Sequence, residues 1–593
     1  MICRLLAGAL LLGSALFLAG CQGLVKGVAQ LTVNLSGAGV GTVSSQPNGI
    51  NCPTTCSANF QGNTQVTLAA SPAPGSTFTG WTGCTSSSGA TCTVTLAGSA
   101  VTANFTASLQ SINHIIFLAQ ENRSFDSYFG ALREYWAQNG IPDQPFNGLP
   151  QFDPPGDPNA GPPPTNPGCD PAFPFVAPST NLYCQINSAS PPVASFHLQS
   201  TCVENPSPSW NESHRDWNVH DPLAGPPALL DGFVDTAAND GRQHTTTVNG
   251  VTQPTPYFDT DGVRAMGYYD GGDLNYYYAL ATAFGTSDNF FAPVLTRTPP
   301  NRYYLIAGTS QGHVYATGGP TITAAPIFEK LQAAGITWKI YVNQNTVGPD
   351  CRADTSAACL IKHTYVKDFA YSQTILSAHP QNIVSIDQFK ADAQSGNLPQ
   401  VAQIEPASDA GLDEHPSDND PAPGQPACCN PQNGAAYVKS LIDAVMNGPN
   451  WQDTVFILTF DEPGGFFDHV PPVNTVSPDG VLPKDLHAGD VCTMGTGPTC
   501  DFVYTGYRVP LVVISPFSKK NYVSHTAADE TAILKFIETR FGLGSLTERD
   551  KAQQTDMTEF FDFATAPWKT PPTNLPAQNT SGQCFVNPPP TSP

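Results

Sequence analysis

The chain has 593 residues, a formal net charge of −23 and a charged fraction of only 12%. Its length predicts more than one domain. The negative charge argues against nucleic acid as a partner and against electrostatic docking on anionic lipid, because both require a basic face. Aromatic residues make up 10% of the chain and apolar runs are frequent, which indicates an ordered protein.

The first 21 residues have the pattern of an export signal. Arg4 supplies a positive start, and residues 5–19 form an uncharged apolar run that is too short for a comfortable membrane span. The Leu-Ala-Gly-Cys ending at residues 18–21 resembles the bacterial lipobox. This resemblance implies cleavage before Cys21 and a lipid anchor in the cell envelope. Gln22 is not the Asp that retains lipoproteins at the inner membrane, which favours the outer membrane or cell surface. An ordinary secretory signal or an uncleaved anchor is the alternative.

Cysteine usage agrees with an oxidising compartment. Without Cys3 and Cys21, 14 of the 16 cysteines remain, an even number that is compatible with disulfides. The close pairs that could close short loops are Cys52/Cys56, Cys84/Cys92, Cys351/Cys359 and Cys492/Cys500. The adjacent Cys428 and Cys429 are expected to bond elsewhere. No pair has the CxxC spacing of a zinc site, so we assign no metal to cysteine.

Residues 30–106 are rich in Thr, Ser, Gly, Val and Ala, and short alternating runs are separated by turn residues. This pattern predicts a small all-β module. The stretches GAGVGTVSSQPNGINC, GSTFTGWTGC and AVTANF resemble a bacterial surface β-repeat that is found beside many secreted enzymes. The resemblance implies a spacer or adhesion module at residues 22–106, after a signal peptide at 1–21.

From residue 112 onward, predicted strands alternate with predicted helices, which favours a doubly wound, mostly parallel α/β sheet. The strand candidates are 112–119, 336–342, 399–404, 454–460 and 509–515. The helix candidates are 324–334, with Thr323 as its N-cap, 435–446 and 527–541. A segment rich in Pro, Asn and Gly at 142–192 has little periodicity and is too long for a simple connector.

Two of the apolar strand candidates lead directly into oxygen-bearing side chains. The strand at 115–118 is followed by Glu121 and Asn122, and the strand at 455–458 by Asp461 and Glu462. Ligands bind at the carboxyl ends of strands in an open α/β sheet, and hard divalent cations prefer such oxygens. A solvated loop or a helix cap would explain one pair alone. Two pairs that each follow a buried strand favour a site for one divalent cation of unknown identity.

A threonine followed by two prolines is the candidate nucleophile. Thr298 precedes Pro299 and Pro300, whose rings fix the direction of the chain at this turn. The next residues, Asn301 and Arg302, can donate hydrogen bonds to an anion, and the forked donors of Arg suit phosphate. A Thr oxygen beside a divalent cation has a lowered pKa and can attack phosphorus without a strong adjacent base. A purely structural turn is the alternative.

Four segments carry a resemblance to a known family. They are ENRSFDSYFG at 121–130, TPPNR at 298–302, DEHP at 413–416 and FDEPGGFFDHVPP at 460–472. Together they resemble the phosphoesterase family of bacterial phospholipase C and respiratory-burst-inhibiting acid phosphatases, in the family's order, over about residues 112–561. The resemblance implies an alkaline-phosphatase-like α/β fold for a catalytic domain at 107–593.

The resemblance also implies roles for particular residues. The residues that would hold the metal are Glu121, Asn122, Asp461 and Glu462, and Thr298 would be the nucleophile. His415 and His469 would contact the phosphoryl group or protonate the leaving oxygen. Many members carry a histidine in a His-Ser-Trp segment where this sequence has Pro208-Ser209-Trp210, so His214 is a candidate replacement. His313 is a further candidate for substrate binding.

The sequence therefore predicts a metal-dependent phosphoric ester hydrolase of phospholipase C type that forms a phospho-threonine intermediate. An acid phosphatase that acts on soluble phosphomonoesters is the alternative, and the acidic balance mildly favours soluble phosphoesters over an anionic bilayer. A surface adhesin with a degenerate enzyme domain is a third interpretation, which the β module supports and the intact motifs oppose. A sulfatase is disfavoured because the chain has no Cys-x-Pro-x-Arg segment.

Overall fold

The structure is a computed structural model, and it describes residues 27–95, 99–176, 181–248, 250–343, 351, 354–417, 430–493 and 500–585. The predicted signal segment and Cys428–Cys429 lie outside these residues. The chain divides into two compact units. The smaller unit comprises the chain up to Ser36 together with Gly41–Ala73 and Phe78–Phe105, and the larger unit contains Gly37–Val40, Pro74–Thr77 and the chain from Thr106 onward. Within the described ranges, no helix combines the length and apolar character needed to cross a bilayer.

The smaller unit consists of short strands, which confirms the predicted all-β module. The strands are β1 (Val28–Ser36), β2 (Gly41–Gln46), β3 (Asn51–Cys52), β4 (Ser57–Gln61), β5 (Gln65–Pro72), β6 (Thr77–Thr82), β7 (Ser86–Ser88), β8 (Thr91–Thr95) and β9 (Ser99–Thr106). They form one sheet in the order β4-β1-β9-β6 and a second in the order β3-β2-β5-β8-β7. Alternate residues such as Val43, Val66 and Leu68 are fully buried, as expected for strands with one face on a core.

The larger unit contains further strands and all the α-helices of the described chain. The strands are β10 (His114–Gln120), β11 (Thr165–Pro167), β12 (Pro192–Ala194), β13 (Phe196–His197), β14 (Thr245–Val248), β15 (Val251–Pro254), β16 (Gly267–Tyr268), β17 (Gly285–Ser287), β18 (Phe290–Phe291), β19 (Trp338–Val342), β20 (Ile383–Ser385), β21 (Val401–Ile404), β22 (Thr454–Phe460), β23 (Leu511–Ile514), β24 (Tyr522–Ser524) and β25 (Ala528–Asp529). The helices are α1 (Phe125–Phe129), α2 (Leu132–Asn139), α3 (Trp210–Trp217), α4 (Phe233–Gln243), α5 (Asn275–Ala283), α6 (Thr298–Ala307), α7 (Ile327–Ala333), α8 (Ala357–Leu360), α9 (Tyr371–Ala378), α10 (Ile386–Ser395), α11 (Pro431–Met446), α12 (Thr531–Phe541) and α13 (Glu548–Ala552).

A sheet of eight strands in the order β20-β19-β21-β10-β22-β23-β17-β24 forms the centre of the larger unit. The strands from β20 to β22 are parallel, and β23 runs antiparallel between β22 and β17. Every residue of β21, β22 and β23 is buried, which explains why these strands read as continuous apolar runs. The predicted α/β fold with a mostly parallel sheet is confirmed.

The predicted elements are present with shifted ends. Of the five predicted strands, only the one at 454–460 has the observed bounds, those of β22. The predicted N-cap of α7 is wrong, because Pro326 precedes the helix and Thr323 instead bonds the side chain of Gln311. The helix predicted at 527–541 begins only at Thr531, because Ala528 and Asp529 pair as β25 with β18.

Six disulfides link cysteines of the described chain. The four close pairs expected from the sequence are all bonded: Cys52–Cys56, Cys84–Cys92, Cys351–Cys359 and Cys492–Cys500. Cys169–Cys184 closes a loop inside the segment at 142–192. Cys202–Cys584 joins residues 382 positions apart and fastens the C-terminal segment to the larger unit.

Candidate active site

The two predicted pairs of oxygen donors meet because their strands are neighbours in the sheet. Strand β10 pairs with β22 in parallel, and Gln120 lies opposite Phe460 at the end of both strands. Past this point the Asp461 N–H donates to the Gln120 carbonyl at 3.1 Å, and the Asn122 N–H donates to Asp461 Oδ1 at 3.2 Å. The sheet register therefore brings together residues that lie about 340 positions apart.

Unusual backbone conformations turn the chain closely around the donors. Asn122 has a φ of 63°, and Gly464 has a φ of 71°. A Cβ atom on Gly464 would lie 2.5 Å from the Asn122 carbonyl oxygen, so only glycine fits this position without displacing Asn122. The Gly464 N–H also donates to Glu462 Oε2 at 2.9 Å and orients that carboxylate.

Thr298 is the first residue of α6, and its hydroxyl faces the donors. Its Oγ1 lies 3.4 Å from Asn122 Oδ1 and 3.3 Å from Glu462 Oε1. Pro299 and Pro300 occupy the next two positions, where a helix has unpaired N–H groups and tolerates proline. The half-buried threonine hydroxyl therefore projects from a rigid helix start beside two oxygens of the donor set.

Arg302 lies one turn further along α6 and is fully buried beneath the donors. Its Nε donates to Asp461 Oδ2 at 3.1 Å, its Nη1 to the Ala119 carbonyl at 2.9 Å, and its Nη2 lies 3.5 Å from Glu121 Oε1. The Arg302 guanidinium thus contacts carboxylates and carbonyls of the protein and holds Asp461 and Glu121 in place. Its predicted contact with substrate phosphate stays a prediction.

The donor set concentrates negative charge on side chains that are almost completely buried. Burial raises the pKa of Glu121, Asp461 and Glu462, to about 6 for Asp461, and their mutual repulsion contributes to the rise. The positive charge of Arg302 opposes the rise for Glu121 and Asp461, and the Thr298 hydroxyl lies 3.4 Å from the Asn122 amide oxygen beside these carboxylates. Buried carboxylate, amide and hydroxyl oxygens that converge in this way fit a hard divalent cation.

His415 lies beside the donor set. Its charge lowers the pKa of Glu121 and of Asp413, whose backbone carbonyl accepts the Glu121 N–H at 2.8 Å. His415 Nδ1 contacts the Pro416 carbonyl at 2.5 Å, and since a carbonyl only accepts, Nδ1 carries a proton. This bond fixes the orientation of the ring.

His469 belongs to a separate, tightly bonded cluster. Its Nδ1 lies 2.7 Å from Asp126 Oδ2, and its Nε2 lies 3.0 Å from Asn147 Oδ1. Arg508 bridges the carboxylates of Asp126 at 2.9 Å and Asp468 at 2.8 Å. Asp468 thus pairs with Arg508, and Asp126 orients the histidine. Three members of this cluster have metal-ligating side chains, but the Arg508 guanidinium already supplies a cation between the two carboxylates.

Three other predicted substrate-binding residues make contacts of their own. Asn301 accepts the Val294 N–H at 3.0 Å and donates to the Thr296 carbonyl at 2.7 Å, so it fixes the loop before α6. His214 is fully buried, and its Nδ1 lies 2.7 Å from the Trp210 carbonyl. His313 Nδ1 lies 3.0 Å from Asp485 Oδ2. Contact of these three residues with a substrate stays a prediction.

The structure adds buried charged residues around the candidate site that the sequence analysis does not single out. Asp126 and Arg508 anchor His469, and Glu414 lies within the same buried region as Gln120. Asp126 was visible as the acid within the ENRSFDSYFG segment, and Glu414 as the acid next to His415. Arg508 lies three residues before β23, a position that by itself indicates no role.

A family profile described as "Phosphoesterase family" matches residues 112–544. The chain belongs to this family. A second profile, the divergent InlB B-repeat domain, matches residues 31–109. The phosphoesterase is 28% identical over 486 residues to phospholipase C B of Mycobacterium tuberculosis, covering 77% of this chain and 79% of the relative. It is also 28% identical over 509 residues to the non-hemolytic phospholipase C of Burkholderia pseudomallei, covering 77% of this chain and 60% of the relative.

Solved structures also align with the phosphoesterase. A phosphonate monoester hydrolase from Silicibacter pomeroyi aligns at 14% identity with a TM-score of 0.27, covering 46% of this chain and 69% of that one. A protein of the alkaline phosphatase superfamily from Vibrio parahaemolyticus aligns at 11% identity with a TM-score of 0.26, covering 46% and 62%. The functional assignment rests on the family match instead: the phosphoesterase is a hydrolase that acts on phosphoester bonds, as the sequence predicts.

Proposed function

We propose that the chain is a phospholipase C-type phosphodiesterase in which Thr298 is the nucleophile and a divalent cation is required. The main support for the proposal is the position of the Thr298 hydroxyl at the edge of a buried carboxylate cluster. Its Oγ1 lies 3.3 Å from Glu462 Oε1 and 3.4 Å from Asn122 Oδ1. The relatives named as phospholipases C, at 28% identity over 77% of the chain, support a phosphodiester substrate.

The residues that would hold the cation are Glu121, Asn122, Asp461 and Glu462. A cation bound there supplies positive charge that stabilises a phosphate oxygen and lowers the pKa of the Thr298 hydroxyl. Asn122 and Glu462 orient that hydroxyl, and α6 holds it in line for attack on phosphorus. The attack forms a phospho-threonine, which water then hydrolyses.

We propose His415 or His469 as the proton donor to the departing alcohol. His415 Nδ1 is held by the Pro416 carbonyl, and His469 contacts Asp126 through Nδ1 and Asn147 through Nε2.

Replacement of the threonine tests this proposal. Thr298→Ala removes the nucleophile and is expected to lower turnover of para-nitrophenylphosphorylcholine by about 10³-fold or more, with an unchanged melting temperature. Thr298→Ser keeps a hydroxyl and is the matched control that retains measurable turnover. A chelator is expected to abolish the parent's activity, and an added divalent cation to restore it. Parent-like turnover in Thr298→Ala would remove Thr298 from the mechanism. Faster cleavage of para-nitrophenyl phosphate than of the choline ester would favour the acid phosphatase alternative.

We further propose that the protein is exported and held at the cell envelope through Cys21. Six disulfides within the described chain support an oxidising compartment. Cys21→Ser is expected to move the protein from the membrane fraction to a soluble fraction, because a lipid acceptor is lost. Equal membrane retention of the variant and the parent on fractionation would contradict the anchor.

A further inference from the structure

Large hydrophobic side chains are exposed mainly in one part of the larger unit. Of eleven that the described chain leaves exposed, six lie on the loop closed by Cys169–Cys184 or on the hairpin region after α4. These six are between 41% and 67% exposed: Phe173, Val176, Leu182, Tyr183, Val251 and Phe258. We call this set the apolar patch. Such a concentration of exposed apolar groups indicates an interaction surface.

The loop and the hairpin region are joined through the C-terminal end of α4. The Cys184 N–H donates to Asn239 Oδ1 at 2.7 Å, and the Gln243 amide donates to the Leu182 carbonyl at 3.5 Å. Strands β14 and β15 form the hairpin directly after this helix. The disulfide and these hydrogen bonds fix the segments that carry the patch. Little conformational entropy is therefore lost when a partner binds.

The composition of the patch favours a lipid surface with no net charge. The sequence has no Asp, Glu, Lys or Arg at 171–203 or at 245–258. A chain with a net charge of −23 is repelled by anionic bilayers, whereas a zwitterionic surface imposes no such penalty. Phe and Tyr side chains are also the groups that sit best at the level of lipid head groups.

We propose that the apolar patch inserts into the surface of a zwitterionic phospholipid membrane. The docking stands on the patch itself, and its role in presenting a substrate rests on the proposed phospholipase C activity. The interaction is hydrophobic, so raised salt will not weaken it.

Sedimentation with phosphatidylcholine vesicles tests the docking surface, with Cys21→Ser in every chain so that no acyl group contributes. The patch variant is Val176→Ser with Leu182→Asn. The matched control is Val481→Ser with Leu482→Asn, which changes exposed apolar residues elsewhere. We expect the patch variant to bind at least about tenfold more weakly than the parent, and the control to bind within about twofold of it. Equal weakening in both variants, or no vesicle binding by the parent, would overturn the proposal.

Two further readouts separate this inference from the proposed function. Vesicle binding requires no turnover, so parent-like binding in a Thr298→Ala chain is expected even though that chain is inactive. If the parent does not cleave para-nitrophenylphosphorylcholine, the phospholipase assignment is contradicted and the docking result is unaffected. Size-exclusion chromatography checks for self-association: a dimeric parent and a monomeric patch variant would show that a second copy covers the patch, and would overturn membrane docking.

Discussion

Glu414 illustrates how a single buried acid supports the candidate active site. Its carboxylate accepts hydrogen bonds from Tyr128 at 2.7 Å, Tyr277 at 2.5 Å and Gln120 at 3.1 Å. Its backbone carbonyl accepts a bond from Arg123 at 2.6 Å. Through these contacts Glu414 joins the end of β10 to the segment that carries His415. Glu414 therefore helps to hold both the donor set and His415, a candidate proton donor, in place.

The charge of Glu414 predicts a pH dependence of stability. Burial raises the pKa of Glu414 from 4.5 to about 7. Because the pKa is higher in the folded state, Glu414 contributes fully to the free energy of unfolding below pH 4.5. This contribution is lost as the pH rises through about 7. Glu414→Gln cannot ionise. We therefore expect its unfolding free energy, relative to the parent, to rise across this window by up to about 3 kcal/mol.

Urea unfolding of the two chains at pH 5 to 8 measures this difference. Because other ionisable groups are common to both chains, their contributions cancel in the comparison. A difference between variant and parent that stays constant across the range would show that Glu414 keeps the same protonation state in the folded and unfolded chains.

The residue scale also shows where sequence reasoning fails. The types of Glu121, Asn122, Asp461 and Glu462 and their positions after apolar strands were enough to predict that they meet. The sequence does not show which way the Arg302 guanidinium points; in the structure it contacts Asp461 and Glu121, and its contact with substrate phosphate stays a prediction. The role of Arg508 could not be predicted because its partners Asp126 and Asp468 are distant from it in sequence.

At the scale of elements, the site depends on how strands and one helix end. Parallel pairing of β10 and β22 was foreseeable from two fully apolar runs, and it aligns the strand ends. At Thr298 the sequence predicts a turn before an apolar segment, whereas in the structure Thr298 is the first residue of α6. The actual ends of helices and strands differ from the predicted ones because pairing with distant partners, such as β25 with β18, overrides local pattern.

The turn after β22 gives a prediction at this scale. Gly464→Ala would place a methyl group 2.5 Å from the Asn122 carbonyl oxygen and 2.8 Å from its Cβ. Gly480→Ala is a matched control, since Gly480 has nearly the same φ, 72°, and no atom within 4 Å of an added Cβ. Both changes carry a backbone cost of about 1–2 kcal/mol. We expect only Gly464→Ala to lower turnover as well, and to raise the cation concentration needed for half-maximal activity.

Steady-state assays at a series of cation concentrations, together with melting temperatures, separate the two effects. Similar losses of turnover in both variants would mean that general destabilisation accounts for the result. Unchanged turnover in Gly464→Ala would show that Asn122 can shift without consequence, and would weaken its assignment as a cation ligand.

At the scale of the whole molecule, the C-terminal segment is fastened back onto the larger unit. The Thr201 N–H donates to the Gln583 carbonyl at 2.8 Å, and Gln578 donates to the Asp273 carbonyl at 2.7 Å. Cys202–Cys584 adds a covalent link over 382 residues. The sequence alone could not select this pair, because 14 cysteines allow many pairings and nearness in sequence favours only the short loops.

Removal of this long-range disulfide predicts a larger loss of stability than removal of a short-range one. In the chain-entropy description, closing a loop of 382 residues stabilises the fold by about 6 kcal/mol, whereas the 8-residue loop of Cys492–Cys500 contributes about 2.5 kcal/mol. The double variant Cys202→Ser, Cys584→Ser is therefore expected to melt several degrees lower than the double variant Cys492→Ser, Cys500→Ser. Both pairs lie in the larger unit, so calorimetric scans at one fixed rate compare the same transition. An equal or smaller shift for the long-range pair would show that the hydrogen bonds of the C-terminal segment, and not its disulfide, hold it in place.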